Sequence, residues 1–341
     1  MNKLSELVKL RNTLDEKLNS IDFSQYVNNV CDVLNLIRTE TPETNDNIID
    51  EEINKAILAY KELSKTADSI NDNLRLAIDY LDSQIDIASA AVNEQLYLKD
   101  ESYELQLKSD LIHPAHVFQL SATADRLITA SILKYADWHY PTLRLGCTYV
   151  GQETLTYVDN QIIIDYSKSI EYSNLLVVGD PLYFCDIKQA YITSVTSHFN
   201  EIYSQRIRKY VIKDHNFSQL PQNQFGFIFS WMFFNFRDLI TTELYLQNLI
   251  KLLRPGGILM FSYNNTDLYD SAKNSENGMM SSIPKKKLVE LIKNIGFEII
   301  THRDMPNEDF YIKNISYIEI KKPGQLHSIK LKQVMGTIGQ K

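Results

Sequence analysis

With 341 residues, 44% of them hydrophobic and 11% aromatic, the chain has material for two domains or for one domain with a large appendage, and a generally disordered protein is excluded. Its net charge of −8 is uneven: residues 1–110 carry 22 acidic and 11 basic side chains, the remainder 21 and 24, and the last 21 residues hold five lysines and no acid. The acidic N-terminal part is a poor nucleic-acid surface, so nucleic acid is not an expected partner.

The opening "MNKLSELVKL" is amphipathic and soon acidic, unlike a signal sequence. Leu4, Leu7, Arg11, Leu14, Leu18 and Ile21 alternate spacings of three and four, and Val27, Val30, Leu34 and Ile37 continue the pattern. "TETPETNDN" interrupts with Pro42 before a second helix near Ile48. From there Ile53, Ile57, Tyr60, Ser64, Ala67, Asn71, Leu74, Ile78, Leu81, Ile85, Ala88 and Val92 fall on one heptad seam. Such a repeat predicts a supercoiled helix that needs a facing partner. Residues 1–110 are therefore expected to form a helical coiled-coil arm that serves a homo-oligomer or a larger protein assembly.

Cys31, Cys147 and Cys185 lack CxxC spacing, which speaks against a disulfide framework or a zinc site and for a reducing, cytoplasmic setting. His113 and His116 in "HPAH" have metal-ligand spacing, but Pro114 intervenes and no carboxylate assists, so a helix start is the better reading and no metal is expected. No apolar run approaches bilayer length, so no membrane partner is expected.

A linking helix is expected over 111–140, its pattern clearest from Val117 to Tyr135, and then the period changes. "TLRLG" (142–146) reads as a short strand, "TLTYVDNQIIIDY" (154–166) as a hairpin, and "NLLVVGD" (174–180) as an apolar strand ending at Asp180. Asp186, six residues later, reads as the N-cap of a helix over 187–203. Strands follow at 208–214 and 225–231, a helix at 239–253, a Pro-Gly-Gly corner, and a strand at 258–263. "PKKKLVELIKNIG" (284–296) is a helix opened by Pro and closed by Gly, and strands at 297–303 and 315–322 end the domain. Apolar strands interleaved with helices predict a parallel α/β sheet over 141–322, followed by a basic tail at 323–341.

An "FGFIFS" strand, a helix ending in "LLRPGG", the strand "ILMFSY" and a terminal "IGFEII" unit with one last strand resemble the class I S-adenosylmethionine-dependent methyltransferase superfamily. The resemblance covers roughly 140–320. It implies a Rossmann-like, mostly parallel seven-stranded sheet whose strands six and seven form an edge hairpin, with S-adenosylmethionine as cofactor. Carried over residue by residue, Gly146 and Gly151 of "RLGCTYVGQE" stand for the glycine loop, whose middle glycine is missing. Arg144 stands where an acid is expected. Asp180 takes the place of the ribose-binding acid, Asp214 that of the acid near the adenine amine, and Ser230 with Trp231 (and Asn235) the cofactor or acceptor side.

More residues separate Gly146 from Asp180 than the family usually has, because the hairpin intervenes. No catalytic residue is assigned; His215 beside Asp214 is the best general-base candidate, and the methyl acceptor is not readable. Two functions follow from the resemblance. One is a divergent methyltransferase with an oligomerising or docking arm. The other is an inactive methyltransferase-like assembly protein, for example a virion component, since the Asn- and Ile-rich composition is similar to that of proteins from AT-rich phage genomes.

Overall fold

The computed structural model of the chain describes residues 4–20, 47–97, 130–137, 139–147, 155–158, 161–164, 180–196, 201–213, 215–278, 280–306 and 314–326. Two compact units are present, Met1–Ala88 and Ser89–Lys341.

In the first unit the described residues are helical, as the heptad spacing predicts for them. Helix α1 spans Leu4–Ser20, and α2 begins at Asn47 and continues to Tyr97. On the seam, Leu81, Ile85 and Ala88 are buried, and Asn71, Leu74 and Ile78 are half-buried. Arg11 of α1 lies 3.4 Å from Asp82 of α2 and 3.0 Å from its own i+4 neighbour Asp15. Off the seam, Leu76, Tyr80 and Ile87 stand exposed. The expected continuation of the first seam over 27–37 and the Pro42 interruption lie outside the described residues.

In the second unit the elements follow in the order β1 (Thr142–Leu145), β2 (Leu155–Val158), β3 (Gln161–Ile164), β4 (Leu182–Asp186), α3 (Gln189–Thr196), α4 (Glu201–Ser204), β5 (Ile207–Val211) and β6 (Phe225–Ser230). A 3₁₀ turn at Phe234–Phe236 leads to α5 (Leu239–Leu252), β7 (Leu253–Tyr263), α6 (Tyr269–Glu276), α7 (Lys285–Ile295), β8 (Glu298–Pro306) and β9 (Asn314–Lys321). Strands β2 and β3 pair antiparallel as the hairpin expected from the sequence. The other seven form one sheet in the order β5-β4-β1-β6-β7-β9-β8. All neighbours are parallel except that β9 runs antiparallel to both β7 and β8. This is a Rossmann-like α/β fold with a mixed sheet and an edge hairpin.

Both faces of the sheet are covered, which is why β6 is buried at every position. On one face, α5 places Tyr245, Leu246 and Leu249 and α7 places Leu288 and Ile292 in a core with Leu143, Leu145, Ile228, Phe261 and Ile318. Asp238 caps α5 by accepting the Thr241 N–H at 2.7 Å. On the other face, the helical residues 130–135 are anchored by Glu319 of β9, which is only 4% exposed. Its carboxylate accepts from the Ser131 hydroxyl at 2.6 Å and the Tyr135 hydroxyl at 2.7 Å. Burial, then the bond to Glu319, holds the Tyr135 phenol well above its ordinary pKa.

Two sequence expectations need correction. The second strand of the sheet is Leu182–Asp186, so Asp180 precedes that strand; residues 174–179 of the expected strand lie outside the described residues. Pro181 explains the boundary, because a residue without an N–H is tolerated at a strand's start but not within its ladder. The strand expected from 258 begins earlier and takes in the Pro-Gly-Gly corner. Helix α5 ends at Leu252 with an extended Leu253, and β7 already includes Pro255, Gly256 and Gly257. Their function is close approach. The Gly256 N–H donates to Lys322 O and the Lys322 N–H to Gly257 O, both at 2.9 Å, which clasps the exit of β9 to the entry of β7. Gly256 has φ +79, and a Cβ there would lie 2.3 Å from the Leu326 nitrogen. Gly256→Ala should therefore cost roughly 2–4 kcal/mol through strain and overpacking. Thermal denaturation measures this, and a Tm unchanged from the parent would show the clasp to be dispensable.

Candidate functional site

Ligands of open α/β sheets sit past the carboxyl ends of strands, where strand order reverses. Here β1 is flanked by β4 on one side and β6 on the other, so the reversal falls between β1 and β6. The residues past these ends are Gly146 and Cys147 after β1, Asp186 closing β4, Ser230 to Phe233 at β6, and Asn264 and Asn265 after β7.

Gly146 adopts φ +80 and donates its N–H to Cys185 O at 2.8 Å. An added Cβ would stand 2.8 Å from the Phe233 Cβ, so glycine is what lets Phe233 pack against the turn. Asp186 is 2% exposed. Its Oδ2 accepts the Cys147 N–H at 2.6 Å and its Oδ1 the Lys188 N–H at 3.1 Å. One carboxylate thereby joins the loop after β1 to the turn that starts α3. The acid that ends this strand of the sheet, β4, is Asp186. Its sequence signal is "LYFCD", an apolar stretch ending in an acid just before helical spacing; the more apolar "LLVV" run lies outside the described residues. Asp180 itself sits at the opposite edge, joined to Pro181 by a cis bond, with its Oδ1 3.6 Å from Arg206 Nε.

Arg144, where the resemblance implies an acid, is buried within β1. Its guanidinium lies 4.7 Å from the centre of the Phe229 ring and donates to Leu145 O at 3.0 Å. Along β6, Phe227, Phe229 and Trp231 stack in sequence, and Trp231 meets Tyr317 at 6.1 Å. Ser230 and Trp231 are fully buried, and neither Ser230 Oγ nor Trp231 Nε1 has a hydrogen-bond partner among the described residues. Each such group left dry costs about 1–3 kcal/mol. Both lie at the edge where a ligand would sit. Asn235 is buried and structural in its contacts: its Oδ1 accepts from Ser262 Oγ at 2.8 Å, and Ser262 Oγ accepts the Met232 N–H at 2.7 Å. His215, the expected base, packs edge-on to Tyr245 with ring centroids 6.4 Å apart. Gly151, Asp214, His113 and His116 lie outside the described residues.

A further polar region centres on Asn264, whose place just past a strand is readable in the sequence; its partners on α6 are not, because α6 lacks apolar periodicity. Asn264 Nδ2 donates to Ser271 O, Ser275 Oγ and Ser281 O at 3.0, 2.9 and 3.1 Å. The segment 280–283 is held from two sides. The Ser281 N–H donates to Asn235 O at 2.8 Å, while Asn93 in the last turns of α2 accepts the Ser282 N–H at 2.7 Å and donates to Ser282 O at 3.1 Å.

Beside it, at the hairpin edge, Tyr263 OH and His302 Nε2 are 2.6 Å apart. Asp304 takes hydrogen bonds from Asn265 and Ser316 and lies 3.7 Å from His302 and 4.0 Å from Lys285. Burial lowers the His302 pKa, and Lys285 adds to this against the opposing pull of Asp304. The Tyr263 phenol is raised, chiefly by burial. Among the described residues no group of three His, Cys, Asp or Glu side chains is placed to hold a metal, and no helix is long and apolar enough to cross a membrane.

No protein-family model matches the sequence, and no curated protein matches it. Among solved structures, the chain is similar to the N-methyltransferase NodS from Bradyrhizobium japonicum WM9 in complex with S-adenosyl-l-homocysteine: 12% identity over 65% of this chain and 97% of that one, TM-score 0.44. It is also similar to the geranyl diphosphate C-methyltransferase from Streptomyces coelicolor A3(2), at 10% identity over 65% and 85% and a TM-score of 0.45. The [4+2]-cyclase SpnF aligns at 13% identity over 59% and 82%, with a TM-score of 0.42. At such values these likenesses carry no functional argument, and the strand order is what defines the fold.

The hairpin-edge network has a titration consequence. A histidine whose folded pKa is lowered binds fewer protons folded than unfolded, so stability is present above about pH 6.5 and falls as the pH drops below it. Thermal midpoints at about pH 7.5 and about pH 5.5 are expected to fall further in the parent than in His302→Gln. Equal falls would assign the acid sensitivity to another group.

Proposed function

We propose that the chain is a divergent S-adenosylmethionine-dependent methyltransferase whose cofactor seat lies at the carboxyl ends of β1 and β4. The observation that carries this reading is Asp186: a buried carboxylate closing the second strand of the sheet and holding the Cys147 N–H beside Gly146, at the end of β1, one of the two strands that flank the reversal of strand order. A strand-terminal carboxylate is the group suited to accept hydrogen bonds from the two ribose hydroxyls of a bound nucleoside. The residues present fit the cofactor in that respect. In this reading Gly146 and Gly151 belong to the loop at its methionine part, Asp214 to its adenine end, and Ser230 and Trp231 to the acceptor side, where their unpartnered polar atoms support a ligand contact.

The bound cofactor supplies an electrophilic methyl group. What this chain contributes is alignment and dryness: Asp186 fixes the loop and the ribose together, the Phe233 and Trp231 rings exclude water, and Ser230 and Trp231 orient the acceptor. No proton-transfer residue is assigned, because alignment of the nucleophile is the larger demand of such a displacement.

A second reading, a methyltransferase-like assembly protein without cofactor, is supported by Phe233 packed on Gly146 and by Arg144 in place of the acid. Both readings use residues 1–110 as the element for oligomerisation or docking, supported by the exposed Leu76, Tyr80 and Ile87 at spacings of four and seven on α2. The double variant Leu76→Glu/Tyr80→Glu should then shift the full chain to a smaller assembly in light scattering; an unchanged mass would remove this role from that face.

Isothermal titration with S-adenosylmethionine tests the enzyme reading. Binding is expected, weakened by about tenfold or more in Asp186→Asn, the loss of one charge-assisted hydrogen bond, and unchanged in Asp180→Asn. Absence of binding at millimolar cofactor would favour the assembly reading.

A further inference from the structure

Two non-glycine residues among those described have a left-handed backbone, Asn223 (φ +55) and Met232 (φ +56). Asparagine tolerates this conformation, whereas a side chain of methionine's size adopts it only where the surroundings hold it there. Met232 lies just past the end of β6, one of the two strands that flank the reversal of strand order, and is 1% exposed. The hold comes from β7. Ser262 Oγ accepts the Met232 N–H at 2.7 Å and donates to Asn235 Oδ1 at 2.8 Å, while Asn235 O takes the Ser281 N–H at 2.8 Å. Ser262 and Asn235 are fully buried.

This turn decides where two rings go. Phe227, Phe229 and Trp231 alternate along β6 on the Arg144 side of the sheet. Continued alternation would put Phe233 on that side too. It lies instead in the opposite core, with Leu143, Ile228 and Tyr245, and against Gly146. The change of side falls at Met232. One left-handed residue therefore sends Trp231 to one face and Phe233 to the other, and Phe233 is the side chain that meets the loop after β1.

We infer that Ser262 is a positioning residue: its hydroxyl locks Met232 left-handed and so sets Trp231 and Phe233 at the edge where cofactor and acceptor meet. The link to the cofactor rests on the methyltransferase reading; the lock on the turn does not. Ser262 acts through Met232. A serine that merely satisfied a buried N–H would stabilise the fold without this dependence on residue 232.

Glycine at 232 needs no lock, and that supplies the test. The parent, Ser262→Ala, Met232→Gly and the double variant are compared by acrylamide quenching of tryptophan fluorescence and by calorimetric titration with S-adenosylmethionine. Trp138, the chain's other tryptophan, is common to all four, so differences among them report Trp231. Ser262→Ala should increase quenching and weaken cofactor binding by about tenfold, as expected when one left-handed residue is released. With glycine at 232 the same Ser262→Ala change should alter affinity by no more than about twofold and leave quenching unaltered. Equal losses with methionine and with glycine at 232 would overturn the inference and leave Ser262 a buried hydrogen-bond partner only. So would a Ser262→Ala protein that quenches and binds as the parent does. If Ser262→Ala fails to fold, Ser262→Cys, which keeps a weaker polar group, is compared in the same two backgrounds. Failure of the cofactor reading appears separately, as absent heat in all four proteins, and the quenching comparison then still decides the lock.

Discussion

The hydrogen bond from the Cys147 N–H to the Asp186 carboxylate organises the carboxyl edge of this sheet. A loop that leaves a buried strand carries an N–H away from water, and that N–H must find an acceptor. Asp186 supplies one at 2.6 Å from the neighbouring strand. The bond ties the exit of β1 to the exit of β4, and the same carboxylate takes the Lys188 N–H at the approach to α3. With the turn held there, Gly146 can stay in its left-handed conformation and Phe233 can close against it. The site and the fold thus share one anion.

The two faces of the sheet solve burial in different ways. The α5–α7 face is a conventional apolar core, in which volume and shape decide the packing. The opposite face admits Arg144 and Glu319, each with partners that make its burial tolerable: an aromatic ring and a carbonyl for the arginine, two hydroxyls for the glutamate. Such pairings fix direction more sharply than apolar contact does. They explain how a short helical segment at 130–135 is seated on a sheet with so many equivalent apolar positions.

Much of this architecture is legible in the chain because strands buried on both faces are written as continuous apolar runs. "FGFIFS", "ILMFSY", "ISYIEIKK" and the helix between Pro284 and Gly296 all fall where the spacing predicts them. Hydrophobicity ranks "LLVV", which lies outside the described residues, above "LYFCD", but the limits of β4 are set by ladder hydrogen bonds and by Pro181, which composition does not rank. The site was less legible than the fold. Gly146, Ser230 and Trp231 follow from position after a strand, whereas the polar region of α6 depends on contacts between residues up to 193 positions apart, such as Ser282 with Ser89. No local pattern encodes those. The Pro-Gly-Gly corner follows the helix where the sequence places it, and its glycines also admit another segment of backbone.

That clasp also decides how the molecule can be handled. Because β9 runs against β7, the chain leaves the sheet at Lys322 beside Gly256, on the amino edge, and Asp186, Ser230 and Asn264 lie at the other. Gln325 is exposed on that amino edge, so a fluorophore attached there starts a full strand length from the candidate site. Immobilising the protein by that residue leaves the candidate edge facing solution, an orientation set by two glycines and one lysine amide.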